Sequence, residues 1–357
     1  MEHWKKFGGW LLIVLATLFA VRFCNYTGPI PPPPVFEPTF GWVEDAEAVD
    51  GVVQGLPFKC FSDTPAGAFA DDDLPKQVFL WDAYLKVGGA LPPTKNQGSV
   101  GSCVSFGTNN AIARTMMVQI MVKGGEEYKD IAEEVTYAGS RVEIGGGRID
   151  GDGSIGAWAA KFVQQYGVVS REVHGKYDLS KYDMVRCRSW GKSGVPDDLE
   201  PIAREHPVKD ITLIKSWAEA KKALAQGYGI AICSNQGFSM SRDSRGVAQA
   251  QGSWAHCMCL DGYVLEGEEF GHIENSWGPD AHRGPVGWGN PTTAGFWASS
   301  KTIDRMLKAG DSWAFSSVKG FPKKQIDWFV RAPAPLSVWT KLNIRPKEFS
   351  RCDSMCP

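Results

Sequence analysis

Several chemistries are missing from this chain. No C-x-x-C pair occurs among its nine cysteines, which removes a four-thiolate zinc site. No H-E-x-x-H occurs, and the GGG run at 145–147 lacks the Lys-Ser/Thr of a phosphate-binding loop. DGDGSIG, from Asp150, opens like a calcium loop. Its sixth position is Ile155 where Gly is needed, and its twelfth is Lys161 where Glu is needed. Charge of one sign is not in excess: the formal net charge is -2, so nucleic acid is not an expected partner. No internal repeat is found. No metal and no cofactor is expected.

The 357 residues, 43% of them hydrophobic, suffice for one large domain or two lobes. The 14 tryptophans are expected in the core or in a cleft. An odd cysteine count leaves at least one free thiol unless another chain supplies a partner.

The first 26 residues read as a membrane segment. Gly8 to Val21 carries no charge, Lys5 and Lys6 precede it and Arg22 closes it. The run is short for a span, which needs about 20 residues. A cleaved secretory signal competes, but only a poor Leu18-x-Ala20 cleavage candidate follows. A single-pass signal-anchor is therefore expected, touching the membrane through residues 8–23 with the body exported, or secreted if the segment is cleaved. Residues 27–75 read as a linker: four consecutive prolines make a stiff spacer, and an acidic stretch at 41–75 looks loosely structured. The folded body is expected over 76–320, with a tail over 321–357.

Within that body, apolar residues at near-helical spacing (Phe106, Ala111, Ile112, Met116, Ile120) predict a helix after Cys103 that stops at Gly124 and Gly125. Further helices are expected over Ala157–Tyr166 and Ser216–Gln226. Ser216 and Glu219 form a capping box for the latter. GIAICS, HCMCLDGYVL, FGHIENSW and GFWASS read as strands. The first half is thus mainly helical and the second mainly sheet, an α+β arrangement.

Cys103 follows a Gly-Ser turn and precedes a helix, where the dipole favours a thiolate. A nucleophile also needs a base, and the base an orienting group. His256 enters an apolar strand, and Asn275 lies in a strand that a turn near Glu266–Glu269 could lay beside it. Singly, each has a plainer reading: a buried small hydrophobe, a structural histidine, a turn residue.

Together and in order, NQGSVGSC, AHCMCLDGY and ENSWG resemble the three active-site blocks of papain-like cysteine proteases. DAYLKVGGALPPTKNQG resembles the opening of that family's mature domain. GGGRIDGDGSIGAWAAKFVQQYGVV resembles its glycine-rich cleft strand and the helix behind it, and GFWASS a late strand of its barrel lobe. The resemblance covers residues near 76–320. It implies a two-lobe fold, one lobe helical and one an antiparallel barrel-like sheet, with a cleft between them. It implies a thiol-dependent endopeptidase acting on protein or peptide. In it Cys103 is the nucleophile, His256 the base, Asn275 the orienter of the imidazole and Trp277 the indole shielding the His–Asn bond. Gln97 and the Cys103 backbone N–H are the oxyanion donors. Gly151 and Gly153 are the backbone that pairs with substrate, and Cys257 lies near a specificity pocket. Two rival readings stand beside it: a catalytically idle binding or structural module on a membrane stalk, and an amidase acting on cell-wall peptide.

The chain also departs from the family pattern. Val100 stands where the family has a cysteine, and 143–156 contains no cysteine to pair with one. Val104 replaces a tryptophan. Residues 27–75 are too short and too Pro-rich for the family's helical inhibitory propeptide.

Overall fold

The computed structural model describes residues 38–123 and 128–316. The expected membrane segment, the proline run and the C-terminal tail lie outside the described residues, as do Cys24, Cys352 and Cys356. Among the described residues no helix is long and apolar enough to cross a membrane.

Residues 41–75 are not the loose stretch their composition suggests. They carry helix α1 (Ala46–Val53), capped by Asp45 accepting from the Ala48 N–H at 2.9 Å. Three single 3-10 turns follow, at Phe61–Asp63, Pro65–Ala68 and Asp71–Asp73. Val49, Val52, Val53 and Phe61 are buried. Each piece is too short to show a period, so packing rather than propensity decides it.

Strand β1 (Gln77–Phe79) and helix α2 (Asp82–Gly88) lead to α3 (Cys103–Lys123). Every residue of α3 from Cys103 to Ile120 is buried, polar ones included. A helix closed in on all sides needs no polar face. Ala111, Ile112, Met116 and Ile120 join one apolar core, while Met117 and Val118 join the other. Arg114, inside this helix, pairs with the buried Asp261 at 2.8 Å.

The helical half continues with α4 (Glu133–Gly139), which runs into a π-turn, and α5 (Gly156–Gln165). The short pair β2 (Val173–His174) and β3 (Tyr177–Asp178) follows, then α6 (Met184–Ser193) and α7 (Glu200–Arg204). In the second half come β4 (Ile211–Leu213), α8 (Trp217–Ala225), β5 (Ile230–Arg242) and β6 (Ala248–Val264). Then come β7 (Phe270–Glu274), β8 (Phe296–Ser299), α9 (Ser300–Leu307) and β9 (Trp313–Phe315). Antiparallel pairing gives the order β4-β9-β5-β6-β7-β8, with β1 added to β6. The mixed α+β architecture is the expected one, helices first and sheet second.

The expected capping box forms only in part. Ser216 accepts from the Glu219 N–H, but the Glu219 carboxylate accepts from the N–H groups of Lys215 and Ser62. It thereby ties α8 to the N-terminal turns.

Two registers set the site. β6 and β7 pair with Cys259 opposite Glu274 and Leu260 opposite Ile273. Three residues back along β6 and one residue beyond β7 bring His256 and Asn275 to the same end of the sheet. β5 and β6 pair with Cys233 opposite Cys257, and the two form a disulfide closing 24 residues. Among the described residues Cys60, Cys103, Cys187 and Cys259 remain free.

Candidate active site

His256 and Asn275 are both fully buried, and the imidazole Nε2 lies 2.9 Å from the Asn275 Oδ1. That oxygen also accepts from the Ser276 N–H at 2.7 Å. An oxygen facing two N–H groups fixes the proton of neutral His256 on Nε2. Its Nδ1 is left bare, with no hydrogen-bond partner among the described residues. Trp277 stacks on the imidazole at 4.5 Å between ring centres, tilted by 25°.

The loop before α3 is tied to the same corner. The Gln97 N–H donates to the Ser276 carbonyl, the Ser276 hydroxyl donates to Gln97 Oε1 at 2.6 Å, and Asn96 bridges to Trp277. The Gln97 side-chain amide donates to the carbonyls of Val100 (3.0 Å) and Thr39 (3.2 Å). Cys103 follows at the first position of α3, with no exposed surface. Val100, where the resemblance called for a cysteine, packs with Tyr137 and Cys187 instead of being bridged.

Burial pushes the Cys103 thiol up to about 12, opposed by the backbone groups of Cys257, Val104, Cys103 itself and Gly41. Burial pulls His256 down to about 4, opposed by its bond to Asn275. Thiol and imidazole are both neutral in this form.

A strap of the chain's own backbone lies across the site. The Thr39 carbonyl accepts from Gln97 and from the Trp277 indole N–H at 3.1 Å. Phe40 meets the rings of His256, Trp277 and Trp254 edge-on or tilted. A Cβ on Gly41 would fall 2.0 Å from the Gly101 carbonyl oxygen, so only glycine passes there. The N–H groups of Gly41 and Trp42 both donate to the Ala255 carbonyl, next to His256. Trp42 pairs in parallel with Ser154: the Ser154 N–H donates to Gly41 O and the Val43 N–H to Ser154 O. The Trp42 indole is buried and donates to Asp311 at 2.8 Å.

Four of the eight residues singled out from the sequence, Gln97, His256, Asn275 and Trp277, thus form one bonded corner. The other four differ in detail. Gly153 donates its N–H to the Tyr137 hydroxyl and gives its carbonyl to Arg141, so its own backbone groups are taken. Gly151 also gives its carbonyl to Arg141. The backbone that pairs with the strap is that of Ser154, the next residue; Gly151 and Gly153 hold left-handed φ of +78° and +120°. Cys257 presents no free thiol, because it is bridged to Cys233. Cys103 is fully buried at the start of α3, and the Gly41 backbone is among the groups that oppose the rise of its thiol.

Three residues went unremarked in the sequence. Ser154 is one. Asp311 accepts from the Trp42 and Trp313 indoles and from the Gly156 N–H at the start of α5, and burial raises it to about 6. His282 lies 3.1 Å from the Asn275 amide nitrogen. No local pattern marks any of them.

Asp261, His272 and Glu274 lie within 4.8 Å of one another, close enough to share a cation. The Asp261 charge is already answered, and the Glu274 carboxylate is hydrogen-bonded. Asp261 holds Arg114 and His272 at 2.8 and 2.7 Å, and Glu274 accepts from Thr292. They act as a buried polar network under the sheet.

The buried histidines give folding a defined pH dependence. The folded pKa values of His256 and His282 are depressed, to about 4 and about 3, burial being the first cause of each. Below about pH 6.5 the unfolded chain binds protons at both that the folded chain refuses. Their contribution is therefore complete above that pH and lost as pH falls. Asp311, raised to about 6, works in the opposite direction between that pH and the ordinary aspartate range. Among these three, two against one leave a net loss on the order of 1 kcal/mol per pH unit between pH 6 and 4; Glu143 and Glu274, raised by burial, oppose it, and Asp130, Asp243 and Asp261, held low, add to it toward acid. Urea unfolding at pH 7, 6, 5 and 4.5 checks it, and a midpoint that rises toward acid would contradict it.

The papain family cysteine protease model matches residues 80–290, more than half of the chain, and so this chain belongs to the papain family. A curated relative, Cysteine proteinase 1 of Entamoeba histolytica, is 22% identical over 210 residues, which cover 56% of this chain and 58% of that protein's length. Among solved structures, xylellain, a cysteine protease from Xylella fastidiosa, overlays with a TM-score of 0.48 at 16% identity, covering 79% of this chain and 92% of that one. Digestive procathepsin L2 of Tenebrio molitor larval midgut gives 0.48 at 18% identity, covering 79% and 78%. The family assignment rests on the sequence match.

Proposed function

We propose that this protein is a cysteine endopeptidase. In this reading His256 Nδ1 takes the Cys103 proton and the thiolate attacks a peptide carbonyl carbon. The developing oxyanion is held by the Gln97 amide and the Cys103 backbone N–H. His256 then returns the proton to the leaving amine. Water, deprotonated by the same imidazole, hydrolyses the thioester and frees the sulfur.

The observation that supports this best is the strap. An extended polypeptide lies across the groove, with a peptide carbonyl on Gln97 and a strand-like pairing to Ser154. A site for extended peptide needs both features. They also favour a protein substrate over cell-wall peptide. The strap makes the described form a closed one.

The test is hydrolysis of unfolded casein by the full chain carrying Trp42→Ala, which loosens the strap, beside the same chain with Cys103→Ala added. Purified cell-wall peptide serves as the alternative substrate. Turnover of wall peptide without casein turnover would favour the amidase; no turnover of either would favour the binding module. The uncharged run between Lys6 and Arg22 supports a membrane tether at residues 8–23 with the catalytic body exported. Alkaline carbonate extraction of expressing cells checks that tether.

A further inference from the structure

Asn275 is held at both ends of its amide. Its oxygen faces His256 Nε2 and the Ser276 N–H, and its nitrogen faces His282 Nε2 at 3.1 Å. The amide nitrogen can only donate, so His282 Nε2 must be an acceptor, bare of a proton. All three groups are buried, and none can exchange its partner for water without cost.

The surroundings of His282 suit that task. Its ring is 2% exposed and packs against Phe296 (4.6 Å between centres), Trp254 and Trp277. Its main chain is clamped by Arg242 at the far end of β5. That guanidinium donates to the carbonyls of His282, Gly284, Thr293 and Gly295 at 2.7–3.1 Å. Arg242 has no carboxylate among these partners. Its charge therefore opposes a second charge on His282, next after burial in pulling that imidazole down to about 3, and His256 acts in the same direction. Only the Ser239 backbone opposes them.

We propose that His282 is a positioning residue: its neutral Nε2 accepts the Asn275 amide N–H, holding the Asn275 oxygen on His256 and the His256 proton on Nε2. This rests on the peptidase reading above and extends it by one residue. A protonated His282, or one with its proton on Nε2, would offer Asn275 a donor where it needs an acceptor. The amide would then be drawn to turn, placing its NH2 group against His256. The imidazole would answer by moving its proton to Nδ1, and the base would lose its lone pair toward the thiol.

The experiment is histidine side-chain 15N NMR on the full chain at pH 7, with His256 and His282 assigned from their single variants. Bare and protonated ring nitrogens are resolved directly. In the parent chain His282 is expected with its proton on Nδ1, and His256 with its proton on Nε2. In His282→Leu the His256 signal is expected to show both tautomers; in His282→Gln, whose side-chain oxygen can accept the same bond, the single tautomer is expected to return.

In the Trp42→Ala background, His282→Leu should lower kcat for casein about 10- to 100-fold with KM changed less than about 3-fold, and His282→Gln should recover most of it. A proton on His282 Nε2 in the parent, or a His256 tautomer and kcat indifferent to His282→Leu, would overturn the inference. A loss of rate with an unchanged tautomer would also overturn it, leaving His282 a packing residue. If the Trp42→Ala chain hydrolyses nothing, the peptidase reading fails, while the tautomers still decide the role of His282.

Discussion

Replacing Cys103 with Ala in the strap-loosened chain is expected to lower casein hydrolysis by about 10⁴-fold or more, with the fold unchanged. The size of the effect follows from the lack of a substitute. Among the described residues Cys60, Cys187 and Cys259 are the other free thiols. Cys187 packs with Val100 and Tyr137, Cys259 pairs with Glu274 in the ladder between β6 and β7, and Cys60 opens a 3-10 turn. None begins a long helix beside Gln97. The sulfur is small and packed in a core, so removing one atom leaves a small void costing about 1 kcal/mol. The change in rate should therefore greatly exceed the change in stability. Activity within about tenfold of the parent would remove Cys103 from the chemistry.

Trp42→Ala is expected to expose Cys103. The strap is held by backbone bonds to Ala255 and Ser154, by Phe40 against the His256 and Trp277 rings, and above all by the buried Trp42 indole with its bond to Asp311. Truncating a buried tryptophan costs about 3–5 kcal/mol, which multiplies the open population by a factor of roughly 10² to 4 × 10³. Iodoacetamide labelling at pH 7, mapped by mass spectrometry, should accelerate at Cys103 by at least about 100-fold.

The acid end of the profile should change as well. Beneath the strap, burial keeps the thiol near 12 and the imidazole near 4, so the pair stays neutral. Readmitted water removes that penalty from both ions, and an ion pair then labels at pH values where an ordinary thiol is silent. Global unfolding has a different signature, because the buried Cys187 and Cys259 would label too. Equal labelling of Cys103 in the parent and in a folded Trp42→Ala chain would show that the strap does not guard the site.

By itself the sequence determined a candidate set: Gln97 six residues before Cys103 at a helix start, then His256 in one strand and Asn275 at the end of the next. Singly each had a plainer reading, and what joined them was the resemblance of their three blocks to those of the papain family. The α+β class was legible from local rules, helical spacing first and short apolar runs after. Tertiary structure decided the rest. The register of β6 on β7 brought His256 and Asn275 to the same end of the sheet, and a period of two cannot reveal which residue of one strand faces which of the next. The bridge between Cys233 and Cys257 follows from the register of β5 on β6. Ser154 pairs with the strap, while Tyr137 and Arg141 hold the N–H and the carbonyl of Gly153. His282 gains its meaning only from Asn275 on one side and the Arg242 clamp on the other. The strap is the extreme case. Composition reads residues 38–43 as linker, yet Thr39 bonds Trp277 across 238 positions and Trp42 bonds Asp311 across 269. Contacts so distant in sequence leave no periodic trace, and only the folded chain, where the cost of closing such loops has been met by burial, brings them together.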